Sequence, residues 1–317
     1  MSDLILTREL AKRGLTTYDV ERMLRLRQFE RVRRGAYGPL LPAEAGSEER
    51  HRRLILATAA MLGPEAVVSH GSAALLYGLP TWPSARRRVH VTRSRSSGGQ
   101  RRSIVHVHPA PFASTDLQVI DRIVATSLGR TVLDLARTLP LHQAVAAGDR
   151  ALQIGLDPAE LARGLTAMKS WPGVRRARHC CDLLDPRTES PGESVSRVRF
   201  VEQGIPAPQV QFAVYDERGA LVARCDFGWE EQRTLGEFDG KIKYGRLLRQ
   251  GQTSEDAVYR EKLREDALRD RGWQVVRWTW QDLNRPEVIR DRLLRAFDRS
   301  GSSVRADQLG VGSRYRD

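Results

Sequence analysis

The chain has 317 residues, and 52 basic against 39 acidic side chains leave a net charge of +13 at neutral pH. That length accommodates two or three domains, and the surplus of positive charge favours polyanionic partners, nucleic acid first. No apolar run reaches the length of a bilayer span, the N-terminus lacks a signal-peptide pattern, and Cys180, Cys181 and Cys225 have neither disulfide nor zinc spacing. A soluble cytoplasmic protein with no membrane partner is therefore expected.

Residues 1–45 read as a small separate module. LILTRELAKRG is an amphipathic turn or helix ended by Gly14, and Thr16 or Thr17 caps a second helix with Val20, Met23, Leu24 and Leu26 at inward spacing. FERVRRGAYGPL then reads as a short hairpin with Arg31, Arg33 and Arg34 beside Gly35. Helix, turn, helix and basic hairpin predict a winged helix-turn-helix. Its second helix would enter the major groove while the hairpin meets phosphates or the minor groove. The candidate DNA contacts are Thr16, Thr17, Tyr18, Arg22, Arg25, Arg33 and Arg34. The alternative is a generic helical cap whose arginines form a solvated face.

Residues 46–184 predict a mixed α+β domain. His70 or Ser72 caps a helix over 71–77 that stops at Gly78 and Pro80, which makes His70 a structural residue. Arg86–Thr92 and Ser103–His108 read as two strands joined by the loop RSRSSGGQRR. From Ser84 to Ser103 there are seven arginines and no acid: Arg86, Arg87, Arg88, Arg93, Arg95, Arg101 and Arg102. Such a block suits a nucleic-acid arm, a solvated hairpin tip being the alternative. His90, His106 and His108 can share a sheet face, but no acid or cysteine completes a metal site, and they read as ordinary strand residues.

The runs RVRRGAYGP, VVSHGSAALLYGLP (67–80) and IVATSLGRTVLDLAR (123–137) together resemble the AbiEi family of type IV antitoxins over residues 5–150. That resemblance implies a winged helix followed by this middle region, and repression of the protein's own operator. It also implies a nucleotidyltransferase-type toxin as partner.

The Pro-, Gly- and Arg-rich segment 157–192 reads as a hinge containing one helix over 173–184. Beyond it, residues 185–300 predict a third domain. Gln209–Tyr215 alternates apolar and polar residues, a turn follows over 216–219, and Leu221–Asp226 forms an antiparallel partner strand. A charged helix over 254–271 precedes Gly272, then a buried strand over 273–280 and a final helix over 286–298. The run CDFGWEEQRTLGEFDGKIKY sets Asp226 at a strand end, and a side-chain period of two projects Glu237, Asp239 and Lys241 from one face. Carboxylates so placed suit Mg²⁺ or Mn²⁺, which would activate a water and neutralise phosphate charge, with the lysine as electrostatic partner.

This layout resembles the PD-(D/E)XK nuclease superfamily, in the branch of the very-short-patch-repair endonucleases, over residues 185–298. Asp226 matches the motif acid, Glu237 the (D/E) position, and Glu193 the acid on the first helix of that core. The resemblance implies a catalytic set of Glu193, Asp226, Glu237, Asp239 and Lys241, with Asp226, Glu237 and Asp239 on the metal. One departure stands out. Asp239 occupies the position of the motif lysine, and acid-x-Lys returns one step later at Asp239-Gly-Lys241. Residues 301–317 have the composition of a disordered tail. The expectation is a multidomain α/β protein that binds DNA and carries a metal-dependent endonuclease domain. The alternative is a non-catalytic regulator or antitoxin with a degenerate nuclease-like domain.

Overall fold

A computed structural model describes residues 4–94, 98–101, 103–240 and 254–301. Among these the chain is a multidomain α/β protein with eleven α-helices and three sheets. It divides into two compact units, Met1–Asp182 and Leu183–Asp317. No described helix is long and apolar enough to cross a membrane.

The first unit begins with a three-stranded sheet in the order β1-β3-β2, formed by β1 (Ile5–Leu6), β2 (Phe29–Arg33) and β3 (Ala36–Pro39). Antiparallel pairing of Ile5 with Tyr37 and Leu6 with Ala36 draws the start of the chain into this sheet. Few residues then remain before Gly14, and the expected first helix is reduced to two 3-10 turns, Thr7–Glu9 and Ala11–Arg13. Gly14 ends them at φ 65°, a left-handed conformation that glycine adopts without steric penalty. The second helix, α1 (Thr17–Arg25), is capped by Thr16, whose hydroxyl accepts from Asp19 N while Asp19 Oδ2 accepts from Thr16 N. Val20 is buried among Ile5, Leu10, Leu15, Leu24, Phe29 and Tyr37. Leu26 lies beyond the last turn and is 56% exposed, so it does not belong to the inward stripe.

The rest of this unit carries α2 (Ser47–Ala59), α3 (His70–Leu76) and a six-stranded sheet in the order β6-β7-β5-β4-β9-β8. Its strands are β4 (Ala66–Val68), β5 (Val89–Arg93), β6 (Gln100–Arg101), β7 (Val105–Pro109), β8 (Leu117–Ile120) and β9 (Ile123–Thr126). Val68, Val89, Val91, Ile123 and Ala125 pack with Ile55, Ala73, Leu75 and Leu76 to form the core. Two expectations are corrected here. Arg86 falls in a 3-10 turn (Pro83–Arg86) rather than a strand. The strands on either side of the arginine-rich loop pair in parallel, His90 opposite His106 and Thr92 opposite His108, so they do not form a hairpin.

Four helices complete the unit: α4 (Leu128–Thr138), α5 (Leu141–Gln153), α6 (Pro158–Ala167) and α7 (Val174–Asp182). The segment read as a hinge is thus mostly helical as far as Asp182, with Asp157 capping α6 through Ala159 N. The run 123–137 builds the heart of this region. Ser127 caps α4, Asp134 accepts from Arg130 and Arg137, each at 3.0 Å, and both guanidiniums lie 4.8 Å from the Trp171 ring.

The second unit runs α8 (Pro191–Glu202), β10 (Gln209–Tyr215), β11 (Leu221–Trp229), β12 (Thr234–Phe238), α9 (Ser254–Arg269), β13 (Gln274–Trp278), α10 (Trp280–Leu283) and α11 (Pro286–Arg299). Its sheet has the order β10-β11-β12-β13, antiparallel across the first three strands and parallel between β12 and β13. Phe200, Phe227, Trp278 and Phe297 are buried to 1% exposure or less. Rings of this size contribute about 2–3 kcal/mol each on burial. Trp278 also donates its indole N–H to Ser196 Oγ at 2.7 Å, which fixes the sheet against α8. Gly236 and Gly192 make this packing possible. A Cβ on Gly236 would lie 2.6 Å from the Trp278 ring, and one on Gly192 would lie 1.9 Å from the Phe238 ring.

Candidate functional site

Three places carry chemistry that the fold does not require. The first is the outward face of α1. Tyr18, Arg22 and Arg25 are exposed at positions i, i+4 and i+7, so they line one side of the helix. The Arg25 guanidinium lies 5.8 Å from the Tyr18 ring centre, and Thr17 is exposed beside them. Thr16 is committed to the cap, its hydroxyl donating to Asp19 Oδ2 at 2.6 Å. At the turn between β2 and β3, Gly35 takes φ 81° and Arg34 is exposed. Arg33 differs from its neighbour. It is half-buried, its Nε is buried without a hydrogen-bond partner, and burial pulls its guanidinium below the usual arginine range.

The second place is the basic stretch on β5 and its flanks. Arg87 and Arg93 are exposed. Arg86 is not an arm residue, because its NH1 is held by Glu48 at 2.9 Å and by Thr81 O at 2.7 Å. Arg88 is partly buried and has partners of its own. Arg95 and Arg102 lie outside the described residues, as does the side chain of Arg101.

The third place is where the end of β12 meets the interior of β11 in the second unit, since β11 runs on past Asp226 to Trp229 instead of ending there. Asp226 Oδ2 accepts from Phe238 N at 2.8 Å, which sets the Asp226 carboxylate against the backbone one residue beyond Glu237. Strand β12 stops there at Phe238. Asp239 lies one residue past the strand, with its N–H on Trp278 O at 2.8 Å, so the backbone contact with β13 extends to it. Lys241 and residues 301–317, apart from Gly301, lie outside the described residues.

The acids at this end are engaged by protein groups. Glu237 accepts from Arg264 at 2.6 Å and from Arg277 Nε at 3.0 Å, and Glu261 bonds both arginines in turn. This network holds Arg264 and Arg277 above the usual guanidinium range against the opposing effect of burial. Glu193 is 1% exposed on the first turn of α8 and accepts from Glu189 N, Ser190 Oγ and Gln211 Nε2 at 2.7–3.0 Å. Gln211 itself sits at φ 57°, an irregularity in β10 next to the Phe212–Cys225 pair. Oxygen donors of this kind suit Mg²⁺ or Mn²⁺. As arranged, however, two of them are neutralised or satisfied, and the described acids do not form a group of three with ligand atoms close enough for one ion.

Such a group does exist elsewhere. His90, His106 and His108 bring one ligand nitrogen each within 4.8 Å of one another. The alternation of both strands allows a shared face, and the parallel register that sets His90 opposite His106 brings the three within ligand distance without any acid or cysteine.

Comparison with known proteins leaves the chain unassigned. No family model matches it. It is 27% identical over 241 residues to the uncharacterized protein Rv2248 of Mycobacterium tuberculosis strain ATCC 25618 / H37Rv, covering 75% of this chain and 84% of that protein. The uncharacterized protein MT2308 of the CDC 1551 / Oshkosh strain matches to the same extent. Among solved structures, the Rv2827c protein of Mycobacterium tuberculosis aligns with a TM-score of 0.40 and 15% identity, over 56% of this chain and 71% of that one.

Proposed function

We propose that the chain is a cytoplasmic DNA-binding protein that docks through α1 and the β2–β3 hairpin, with a nuclease-type C-terminal unit. The observation that carries the reading is the row Tyr18, Arg22 and Arg25 on a capped helix, together with exposed Arg34 at the hairpin turn. An aromatic and two guanidiniums on one exposed face suit a phosphate-lined groove, and the net charge of +13 adds long-range attraction. The helix-strand-strand-strand-helix-strand order of the second unit, with Glu193 bonded to Gln211 on β10 and with Asp226 and Glu237 on neighbouring strands, supports the nuclease-type likeness.

For the role of that unit the geometry favours a regulator over a hydrolase. A carboxylate bound by two arginines and another saturated by three hydrogen bonds are poor metal ligands, because binding an ion would first break those contacts. We therefore derive no hydrolytic step. The regulator reading fits repression of an operator, with a nucleotidyltransferase-type toxin as the natural partner. One observation favours the second reading, Mg²⁺- or Mn²⁺-dependent cleavage. Asp226 is pinned to the backbone beside Glu237, so the two acids stand on neighbouring strands where β12 ends.

The discriminating experiment incubates supercoiled plasmid and single-stranded DNA with the chain and Mg²⁺ or Mn²⁺, beside Asp226→Asn and Glu237→Gln. Retention of intact DNA by all three proteins is the expected result. Nicking by the wild type that both variants lose would replace the regulator with an endonuclease. Failure of the wild type to retain DNA at low salt would sink both.

A further inference from the structure

We propose that His90, His106 and His108 form a binding site for a divalent transition-metal ion of the zinc class. The proposal stands apart from the DNA-binding reading and uses none of its residues. Strands β5 and β7 run in parallel with His90 opposite His106 and Thr92 opposite His108, so the alternation of side chains sets all three rings on one face of the sheet. The intervening valines, Val89, Val91, Val105 and Val107, belong to the core on the other face.

The rings have the spacing of a ligand set. His90 Nδ1 lies 2.9 Å from His108 Nε2, the three ligand nitrogens are all within 4.8 Å of one another, and all three residues are half-buried. A tetrahedral ion with metal–nitrogen bonds of about 2.0–2.1 Å places its ligands about 3.3 Å apart. The cluster therefore has to open by a few tenths of an ångström on one edge and close by about 1.5 Å at most on another. Rotation of side chains covers that range without moving a strand.

Further features point the same way. His70 stacks on His108 with ring centres 3.6 Å apart and holds φ 49°, a left-handed conformation that is costly for a side chain with a Cβ. Backbone strain of this kind persists where surrounding structure fixes a residue for a purpose. Thr92, fully buried and on the His90 face of β5, has a hydroxyl with no hydrogen-bond partner. The donor set also selects the ion. Three neutral imidazoles and no carboxylate suit zinc, copper or nickel rather than Mg²⁺. Three protein ligands leave one tetrahedral position for water or an anion.

Two objections can be answered from the geometry. Without metal, the 2.9 Å nitrogen–nitrogen contact requires one proton shared between His90 and His108. On binding, that proton moves to the ring nitrogen turned away from the ion, so neutral rings lose none overall. The buried guanidiniums of Arg130 and Arg137 act on His70, but both are paired with Asp134, which offsets their charge; Arg87 and Arg93 are exposed, and solvent screens such charge over about 10 Å.

The test uses the untagged full-length chain. Zinc uptake is measured by competition with a chromophoric indicator, and Co²⁺ serves as a spectroscopic substitute, with His106→Ala, His90→Ala and the control His179→Ala. One zinc per chain, visible four-coordinate Co²⁺ bands, and a loss of affinity of about 100-fold in either cluster variant but not in the control are expected. Binding should weaken as pH falls, because a protonated imidazole cannot hold a metal. Substoichiometric uptake by the wild type overturns the proposal, as does equal affinity in the wild type and the cluster variants. Should a variant fail to fold, the wild-type cobalt spectrum decides, and absence of four-coordinate bands overturns it.

Discussion

Replacing Arg22, Arg25 and Arg34 together by alanine isolates the electrostatic part of the proposed DNA contact. All three are exposed, and none takes part in an ion pair among the described residues. Their loss should therefore change stability by no more than about 0.5 kcal/mol. Each arginine that neutralises one phosphate adds about −0.9 to the slope of log K against log salt, so three add about −2.7. Across a fourfold rise in salt, from about 50 to 200 mM, the wild type should lose about 40-fold more affinity than the variant. Fluorescence anisotropy with a labelled duplex over that range measures the slope directly. Thr16→Ala is the matched contrast, because it removes the cap at a cost of about 1 kcal/mol without removing charge. It should lower the melting temperature and leave the slope alone. A triple variant whose slope equals that of the wild type would refute the assignment of α1 and the hairpin to the phosphates.

Three further outcomes follow from the packing. Gly192→Ala places a methyl 1.9 Å from the buried Phe238 ring and should destabilise the second unit by about 1–3 kcal/mol, seen as a lower denaturant midpoint; an unchanged midpoint would mean that Phe238 has room to move. Glu237→Gln removes the carboxylate shared by Arg264 and Arg277 and, after allowance for their partial exposure, should cost about 1–2 kcal/mol. Faster hydrogen exchange in α9 is the expected signature, and exchange like that of the wild type would show the pairs to be idle. His51 is 3% exposed, with Nε2 3.1 Å from Ser72 Oγ, and burial lowers it from 6.5 to about 4. Its folded state prefers the neutral ring, so stability is complete above pH 6.5 and declines as pH falls toward 4, by up to about 3 kcal/mol. Amides of α2 and α3 should exchange faster at pH 5 than the intrinsic pH dependence allows, and His51→Gln should flatten that difference.

What could be read in advance depended on whether the cause was local. The strand Gln209–Tyr215, the turn closed by Gly219 N on Asp216 O, and the helix from Pro286 follow from alternation, an Asp-to-Gly turn and a first-turn proline, each contained within a few residues. The boundary between the two units falls inside 157–192, at Asp182, but helices fill the segment ahead of it because Pro also starts helices: Asp157 caps α6 and Pro158 begins it. The first element takes the turn rather than the helix alternative for a distant reason, since β3, some thirty residues on, claims Ile5 and Leu6.

Register governs both the acidic end and the histidine face. Asp239 follows Glu237 at the spacing of one strand face, yet β12 ends at Phe238, whose N–H is taken by the Asp226 side chain instead of a ladder partner. The motif acid is thus tied to the backbone at the point where β12 ends. The histidines show the converse. VHV and VHVH look like two unremarkable half-buried strands, and either a parallel or an antiparallel pairing satisfies their alternation. Either direction can bring the three to one face; the parallel register observed sets His90 opposite His106 with His108 one step along, and that choice belongs to the crossover between the strands. The chemistry of the acidic end and of the histidine face is therefore written in which residues stand opposite one another, a property of two strands together that neither strand's own sequence contains.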